Sequence, residues 1–390
     1  MRWLYRVFTV LCLMQAALAV RVLARLLKRG AGPIRRPLLR DATGQLASSV
    51  SVIVPVLNEV NRLGPCLDGL TAQDNTVGEI LVVDGGSADG TQQLVRQYVQ
   101  RDARIHLVDA SPVPPDWNGK SWGLQVGLER AAPEPFWILT VDADVRLRRG
   151  LVSGLVERAS DDGVSTASVA TAQEIAGPAL GLLHPSCLAT LVYRLGAPGR
   201  IVGRPAGVQA NGQCQLFRRA ALTDIDGFTG VRASRCEDVT IARALVADGG
   251  LAAFYETDDL VSARMYESWR EAWNGWTRSL PLRDRYCRWT SLLGLAEVTL
   301  VQAAPLPAAL LLAASSWRSW PSRALLALNV LLVLVRLGIL TGMRRAYPDR
   351  PWTYWLSPIA DIPVTVQLWA SILKRRHTWR GRPLVVEGDR

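Results

Sequence analysis

Histidine is nearly missing from this chain. The three in 390 residues, His106, His184 and His377, set aside a metal cluster built on imidazoles. The six cysteines, Cys12, Cys66, Cys187, Cys214, Cys236 and Cys287, show neither CxxC nor zinc spacing. A chain this long has no need of disulfide staples, so they read as buried free thiols in a reducing compartment. No GxGxxG comes after the first strand-like run, which removes an NAD-dependent Rossmann enzyme. Internal repeats and low-complexity tracts are also lacking. Long apolar stretches exist, but none near the C-terminus is free of charge or proline.

The formal charge is +11, yet 49% of residues are hydrophobic. The charge does not form a nucleic-acid face. It gathers beside apolar segments: Arg21, Arg25, Lys28, Arg29, Arg35, Arg36 and Arg40 near the start, Arg344, Arg345 and Arg350 later, and Lys374, Arg375, Arg376, Arg380 and Arg382 at the end. Basic residues flanking apolar stretches mark the cytoplasmic side of a membrane and attract anionic lipid. A membrane partner is expected, and no nucleic acid.

Residues 1–29 read as an N-terminal anchor and 30–49 as a basic linker. Ala17-Leu18-Ala19 resembles a signal-peptide cleavage site, but the basic run after it favours an uncleaved anchor with the next domain in the cytoplasm. Residues 50–265 form the expected soluble domain, 266–290 an interfacial segment, 291–373 the C-terminal membrane segments and 374–390 a basic tail. The apolar stretches at about 291–315, 323–342 and 353–373 are each long enough to span a bilayer. Each is compromised, by Glu297, Pro305 and Pro307, by Arg336, or by Pro358, Asp361 and Pro363. An Arg336–Asp361 pair is the simplest account of the buried charges. Four crossings would leave the basic tail outside, against the charge rule, so one C-terminal segment is expected to be re-entrant or interfacial.

The chemistry concentrates between residues 50 and 145. Short apolar, β-branched runs from Ser51 to Val56, Glu79 to Val83 and Phe136 to Val141 read as buried strands. Helical patterns lie between them, from Asn61 to Leu70 and from Thr91 to Gln100, the latter with Leu94, Val95 and Tyr98 on one face. Strand, helix, strand, helix implies a parallel sheet, which binds ligands at the carboxyl ends of its strands. The three runs end in Asn58-Glu59, in Asp84 and in Asp142-Ala143-Asp144. Each acid alone is an ordinary loop cap. Together they converge on one edge. In an extended chain Asp142 and Asp144 point to the same side and can offer two hard oxygens to one cation. Mg²⁺ is commonly held by one or two carboxylates together with substrate phosphates. The pattern reads as a nucleotide site for a metal-assisted reaction on a diphosphate.

Four stretches, Val52-Ile53-Val54-Pro55-Val56-Leu57-Asn58-Glu59, Val83-Asp84-Gly85-Gly86-Ser87-Ala88-Asp89-Gly90-Thr91, Asp142-Ala143-Asp144 and Glu237-Asp238, occur in the order seen in family 2 glycosyltransferases. The chain resembles that family over roughly residues 50–280. One departure is Gly85, where the family often has a second Asp. The resemblance implies an α/β GT-A fold, a mostly parallel sheet with helices on both faces, here with transmembrane helices at both ends. It implies that Pro55, Asn58, Glu59 and Asp84 line the nucleotide pocket, with Asp142 near ribose and metal and Asp144 on the metal, Mg²⁺ or Mn²⁺. Lys120 would lie near the diphosphate, as a point charge on phosphate. The catalytic base of the family falls in the Glu237-Asp238 pair and is assigned to Asp238. Gln213 lies in the segment that shapes the donor-sugar and acceptor side.

Trp269, Trp273 and Trp276 recur at helical spacing with Arg270 and Arg278 among them. They fit an interfacial amphipathic helix, and nearly as well a plain buried stripe. Gln213, Trp273, Trp276 and Arg278 are accordingly the expected acceptor and membrane side. A Gln-x-x-Arg-Trp motif, carried by processive members, is absent. The arrangement resembles the branch acting on carotenoid or hopanoid-type lipids, which also ends in a motif like Trp379-Arg380-Gly381-Arg382. The expected activity is inverting transfer of one sugar from a nucleoside diphosphate sugar to a lipid hydroxyl. The alternatives are a polyprenyl-phosphate acceptor, with Arg270 or Arg278 serving its charge, and a non-catalytic membrane scaffold.

Overall fold

The computed structural model describes residues 2–28, 47–279, 288–316, 319–373, 378–379 and 382–383. Most of the basic linker and tail, Cys287 and the Arg278 side chain lie outside the described residues. The strands are β1 (Val50–Val56), β2 (Val77–Asp84), β3 (Ile105–Asp109), β4 (Trp137–Val141), β5 (Val145–Leu147), β6 (Thr166–Ala170), β7 (Ala172–Gln173), β8 (Arg200–Val202), β9 (Cys214–Arg218), β10 (Ala252–Glu256) and β11 (Val261–Ala263). Helices α1 (Arg2–Leu26), α2 (Leu63–Thr71), α3 (Thr91–Val99), α4 (Gly119–Arg130), α5 (Leu151–Asp161), α6 (Gly177–Leu195), α7 (Arg219–Asp224) and α8 (Glu237–Ala247) come first. After them come α9 (Trp269–Ser279), α10 (Arg288–Glu297), a π-helical turn (Val298–Ala303), α11 (Pro305–Ala314), α12 (Trp320–Met343), a 3-10 segment (Trp352–Ala360) and α13 (Asp361–Leu373).

The chain divides into two compact units. The sheet unit comprises Gly30–Gln173, Pro198–Met265 and Arg375–Arg390, and the helical unit Met1–Arg29, Glu174–Ala197 and Tyr266–Lys374. In the sheet unit eight strands run in the order β3-β2-β1-β4-β9-β6-β10-β8. Strands β3, β2, β1 and β4 are parallel, so the expected strand ends do share one edge. Alternation along β1 builds two cores. Val50, Val52, Val54 and Val56 face the cluster of Leu63, Leu67 and Leu155. Ile53 faces the opposite cluster with Leu124, Val126 and Phe217. That second contact needs a glycine, because a Cβ on Gly127 would fall 2.4 Å from Ile53 Cγ2. Helices thus cover both faces, and β1 is buried throughout except at half-buried Pro55. Strand β9 departs from the parallel pattern: it runs antiparallel between β4 and β6.

The helical unit differs from the sequence reading in two places. Glu174–Ala197 falls here and not in one continuous domain over 50–265. The reason is that α6 buries Leu180, Leu183, Cys187, Ala189 and Tyr193 and carries no acid. The expected segment at 353–373 is not one helix; it is the 3-10 segment followed by α13. Two helices among the described residues, Tyr5–Leu26 and Trp320–Ala346, are long and apolar enough to cross a membrane; Trp289–Ala303 and Pro305–Ala314 reach that length and hydropathy only together, across a 44° bend. The expected pair is present: Arg336 Nε lies 2.8 Å from Asp361 Oδ2, and both residues are almost fully buried. Ser186 Oγ and Gln302 Nε2 also donate to Asp361 Oδ1, at 2.6 and 2.9 Å.

Removing one partner of a buried ion pair leaves an uncompensated charge, at a cost of about 3–5 kcal/mol, whereas replacing both costs far less. Arg336→Met should therefore lower the thermal midpoint in detergent sharply, and Arg336→Met with Asp361→Leu should recover most of the loss. Equal midpoints for the single and double variants would contradict this.

Candidate active site

The parallel edge begins with two loops that lock each other. Asn58 adopts a left-handed φ of 56°, and its Oδ1 accepts from the Ala88 N–H at 2.9 Å while its own N–H donates to Ser87 Oγ at 2.8 Å. The Glu59 and Val60 N–H groups donate to Thr91 Oγ1 and Asp89 Oδ2. Asp84 is fully buried, and its carboxylate accepts from the Gly86 and Ser87 N–H groups and from Gln92 Nε2 at 2.7 Å. Its oxygens are thus engaged with its own surroundings, and it shapes the loop. Pro55, at the end of β1, backs onto α4, where a Cβ on Gly123 would stand 3.3 Å from it.

Asp142 and Asp144 lie directly after β4. Antiparallel β9 pairs Cys214 with Val141, and the Asp142 N–H donates to the Gln213 carbonyl at 3.0 Å. That pairing carries Asn211, Gly212 and Gln213 to the aspartates. Gln213 is itself buried, with Oε1 accepting from Asn211 Nδ2 and Thr171 Oγ1.

One ammonium group links the remaining pieces. Lys120 Nζ lies 2.7 Å from Asp142 Oδ1 and 2.8 Å from Glu237 Oε1. It sits in the first turn of α4, where the helix dipole disfavours a cation. Burial also acts against its charge, but Asp142, Glu237 and Asp238 outweigh this and push it above the usual lysine range. Glu237 and Asp238 open α8, where the dipole favours them. Asp238 accepts from the Gly212 N–H on Oδ2 and from the Val239 N–H on Oδ1, both at 2.8 Å. Burial and neighbouring Glu237 push its carboxyl up to about 6, against Lys120 and those two N–H groups. A Cβ on Gly212 would stand 3.1 Å from both Lys120 Nζ and Asp238 Cβ, a tight fit that a larger residue would have to relieve by shifting one of them. The sequence marks Gly212 only through Asn211-Gly212, an ordinary turn signal.

Asp144 lies in the field of the same group. Burial, Asp142 and Glu59 push it up to about 7, while Arg62 and Lys120 pull it down. Its Oδ1 is buried with no hydrogen-bond partner. Among the described residues no three His, Cys, Asp or Glu side chains are grouped to hold a metal alone. Asp142 and Asp144 can contribute only part of a coordination shell. The structure therefore brings Glu59, Lys120, Asp142, Asp144, Glu237 and Asp238 into one electrostatic cluster. Trp273 and Trp276 belong to the helical unit. There Trp276 is buried edge-on against His184, with ring centroids 5.1 Å apart, while Trp269 is half exposed. For Trp276 the buried-stripe reading holds.

Residues 51–225 match the family model described as glycosyl transferase family 2. Over 115 residues the chain is 34% identical to the lipopolysaccharide core biosynthesis glycosyltransferase LpsC of Rhizobium meliloti, covering 29% of this chain and 38% of that protein. It is 29% identical over 159 residues to 4,4'-diaponeurosporenoate glycosyltransferase of Staphylococcus aureus, covering 40% of this chain and 38% of that one. These matches thus span less than two fifths of each relative's length. A mannosyltransferase from Pyrobaculum calidifontis, solved with GDP-Man and Mn²⁺, superposes with a TM-score of 0.50 at 22% identity, over 91% of this chain and 99% of that one. At that identity the likeness speaks for the fold, which is GT-A.

Because the folded protein holds the Asp144 proton more tightly than the unfolded chain does, this group stabilises most below about pH 4 and the benefit is lost as pH rises through about 7. Asp144→Asn removes that loss. The variant should be more stable to unfolding than the parent at pH 8, by on the order of 1–3 kcal/mol, with little difference at pH 4. A parent equally stable at both values relative to the variant would contradict the assignment.

Proposed function

We propose that this chain, whose residues 51–225 belong to glycosyl transferase family 2, transfers a single sugar from a nucleoside diphosphate sugar to the hydroxyl of a hydrophobic lipid, with inversion at the anomeric carbon. The observation that carries the reading is the pairing of Lys120 with Asp142, beside the DxD acids, and with Glu237, beside Asp238. It joins an acid suited to the donor with one suited to the acceptor. Asp238 takes the proton of the acceptor hydroxyl. The oxygen attacks the anomeric carbon as the bond to the diphosphate breaks, and the diphosphate leaves with the electron pair. Glu237 orients Lys120, which offsets charge on the leaving diphosphate. Pro55, Asn58, Glu59 and the loop organised by Asp84 form the nucleotide pocket.

Asp144 and Asp142 would hold Mg²⁺ or Mn²⁺ with diphosphate oxygens completing the shell. The unpartnered Asp144 oxygen and the absence of a third side-chain ligand among the described residues both fit that division. When bound, such a cation stabilises the leaving group as a Lewis acid. The lipid acceptor is supported by the helices fit to cross a membrane and by the resemblance to a glycosyltransferase named for a carotenoid acid. A nucleoside diphosphate sugar made in the cytoplasm would be met by the sheet unit on that side of the cell membrane, the orientation that the proposed reaction calls for.

Lipid extracts of cells with and without the protein should differ by one glycosylated lipid, absent when Asp238 is Asn. In membranes Asp238→Asn should lower turnover by about 10²–10⁴ with nucleotide-sugar affinity hardly changed. The base must be ionised, so kcat/KM of the parent should fall as pH drops through about 6. Glu237→Gln should lose less. Normal turnover in Asp238→Asn would exclude it as the base, and full activity in excess chelator would exclude the metal.

A further inference from the structure

The helical unit records its own path through a membrane. Phe8 of α1 packs with Leu312 and Leu325. Further along α1, Gln15 exchanges two hydrogen bonds with Asn329, at 2.8 and 3.0 Å, and donates to the Leu300 carbonyl at 2.7 Å. Near its end Arg21 and Arg25 both pair with Glu297, at 3.0 and 2.8 Å. As numbers rise along α1, its partners fall from 312 to 300 to 297 on the bent helix and rise from 325 to 329 on α12. The bent helix is therefore antiparallel to α1 and as long as it, and α12 is parallel to α1. Helix α1 has 25 residues and α12 has 24, each about 36 Å at 1.5 Å per residue, enough for a hydrocarbon core of about 30 Å.

The bend is explained by the same contacts. Pro305 has no N–H to return to the preceding turn, and the π-helical turn, Val298–Ala303, ends just before it. Gln15 supplies a donor to the Leu300 carbonyl one turn back. Polar side chains satisfying freed backbone groups are what a broken membrane helix requires.

The last apolar stretch behaves differently. Tyr354 Oη donates to the Leu340 carbonyl, Arg336 to Ser357 Oγ, and Arg336 to Asp361, so the 3-10 segment moves away from the Met343 end of α12. After Asp361 the contacts turn back. Gln302 Nε2 donates to Asp361, and Trp369 Nε1 to Thr299 Oγ1, closer to the Glu297 end. Helix α13 has 13 residues, about 20 Å, too short to cross. Trp352, Trp355 and Trp369 are exposed along this stretch, as residues at a membrane surface are.

We propose that the chain crosses the membrane three times, by α1, by the bent helix α10–α11 and by α12, and that Trp352–Leu373 is a re-entrant hairpin which enters and leaves on the side where α1 and α12 end. Among the described residues that side carries Arg21, Arg25, Lys28, Arg344, Arg345 and Arg350; the other carries Arg2, Arg6 and Arg323. The positive-inside rule, counted with the linker and tail arginines, makes the first side cytoplasmic. Three crossings put linker and tail on one side, whereas four would separate them. It follows that the acceptor hydroxyl is met at the cytoplasmic leaflet, a clause that rests on the function proposed above; the crossing count does not.

The test uses the full chain and no turnover assay. In intact cells a membrane-impermeant maleimide should label Ser316→Cys, and should label Asp349→Cys only after permeabilisation. On the otherwise unaltered chain, a C-terminal fluorescent protein that matures only in the cytoplasm should glow, and a C-terminal alkaline phosphatase, active only outside, should be silent. An active phosphatase, or labelling of Asp349→Cys from outside, would overturn the hairpin and restore a fourth crossing. No labelling of Ser316→Cys in chains that reach the membrane fraction would overturn the three-span count. If the lipid comparison proposed above finds no glycosylated product while this labelling pattern holds, the function alone is contradicted.

Discussion

The charge of Lys120 is the constraint on which the candidate site depends. Four carboxylates, Asp142, Asp144, Glu237 and Asp238, come from two parts of the sheet unit into one partly buried region, and their mutual repulsion must be met. Lys120 meets it by touching one acid of each pair. It stays charged at the start of a helix, an unfavourable place, because the acids are there. The acids are tolerated because it is there. Each side of the cluster offsets the charge of the other, and the elements around it converge on it. Strand β4 ends at Val141, just before Asp142, β9 brings in Gly212, and α8 begins at Glu237.

The same logic has a second form in the helical unit, with different solvent demands. There Glu297 is 1% exposed and is held by Arg21 and Arg25, and Asp361 by Arg336 with Ser186 and Gln302. Each buried charge there is paired with an opposite one, as a low-dielectric interior demands, although Arg336 Nη1 is left without a hydrogen-bond partner. In the sheet unit the cluster is left partly satisfied. Asp144 keeps an unpartnered oxygen, and Asp238 sits near the range in which a carboxyl can exchange a proton. The two units differ in their charge balance: in the helical unit Glu297 and Asp361 each face at least one arginine, whereas in the sheet unit Lys120 is paired with acids from both ends of the cluster.

Much of this is legible in the sequence, for physical reasons. Strands β1, β2 and β4 announce themselves by β-branched runs buried on both faces, and their polar ends converge because a parallel sheet allows nothing else. The start of α8 at Glu237 and the Arg336–Asp361 pair can be read from charge placement alone. The hidden part depends on long-range pairing. The antiparallel course of β9 has no local signature, so the approach of Gly212 to Asp238 cannot be read. The resemblance implies a nucleotide-pocket role for Asp84; the burial of its carboxylate and its bonds to Gly86, Ser87 and Gln92 depend on the folded loop and cannot be read from the sequence. Helix α6 escapes notice because Gly177, Pro178 and Pro185 interrupt its apolar pattern and its partners lie far away in the chain. The course of residues 352–373 is equally silent, since only contacts fix direction.

We infer that Lys120 is the counter-charge for a diphosphate, held in readiness by Asp142 and Glu237. The direct measurement is calorimetric titration of a nucleoside diphosphate with Mn²⁺ into the detergent-solubilised protein and into Lys120→Met, with correct folding checked by thermal melting. Loss of the ammonium should weaken binding by on the order of tenfold or more, about 1.4 kcal/mol for each factor of ten. A folded Lys120→Met variant that binds the diphosphate as tightly as the parent would contradict the account.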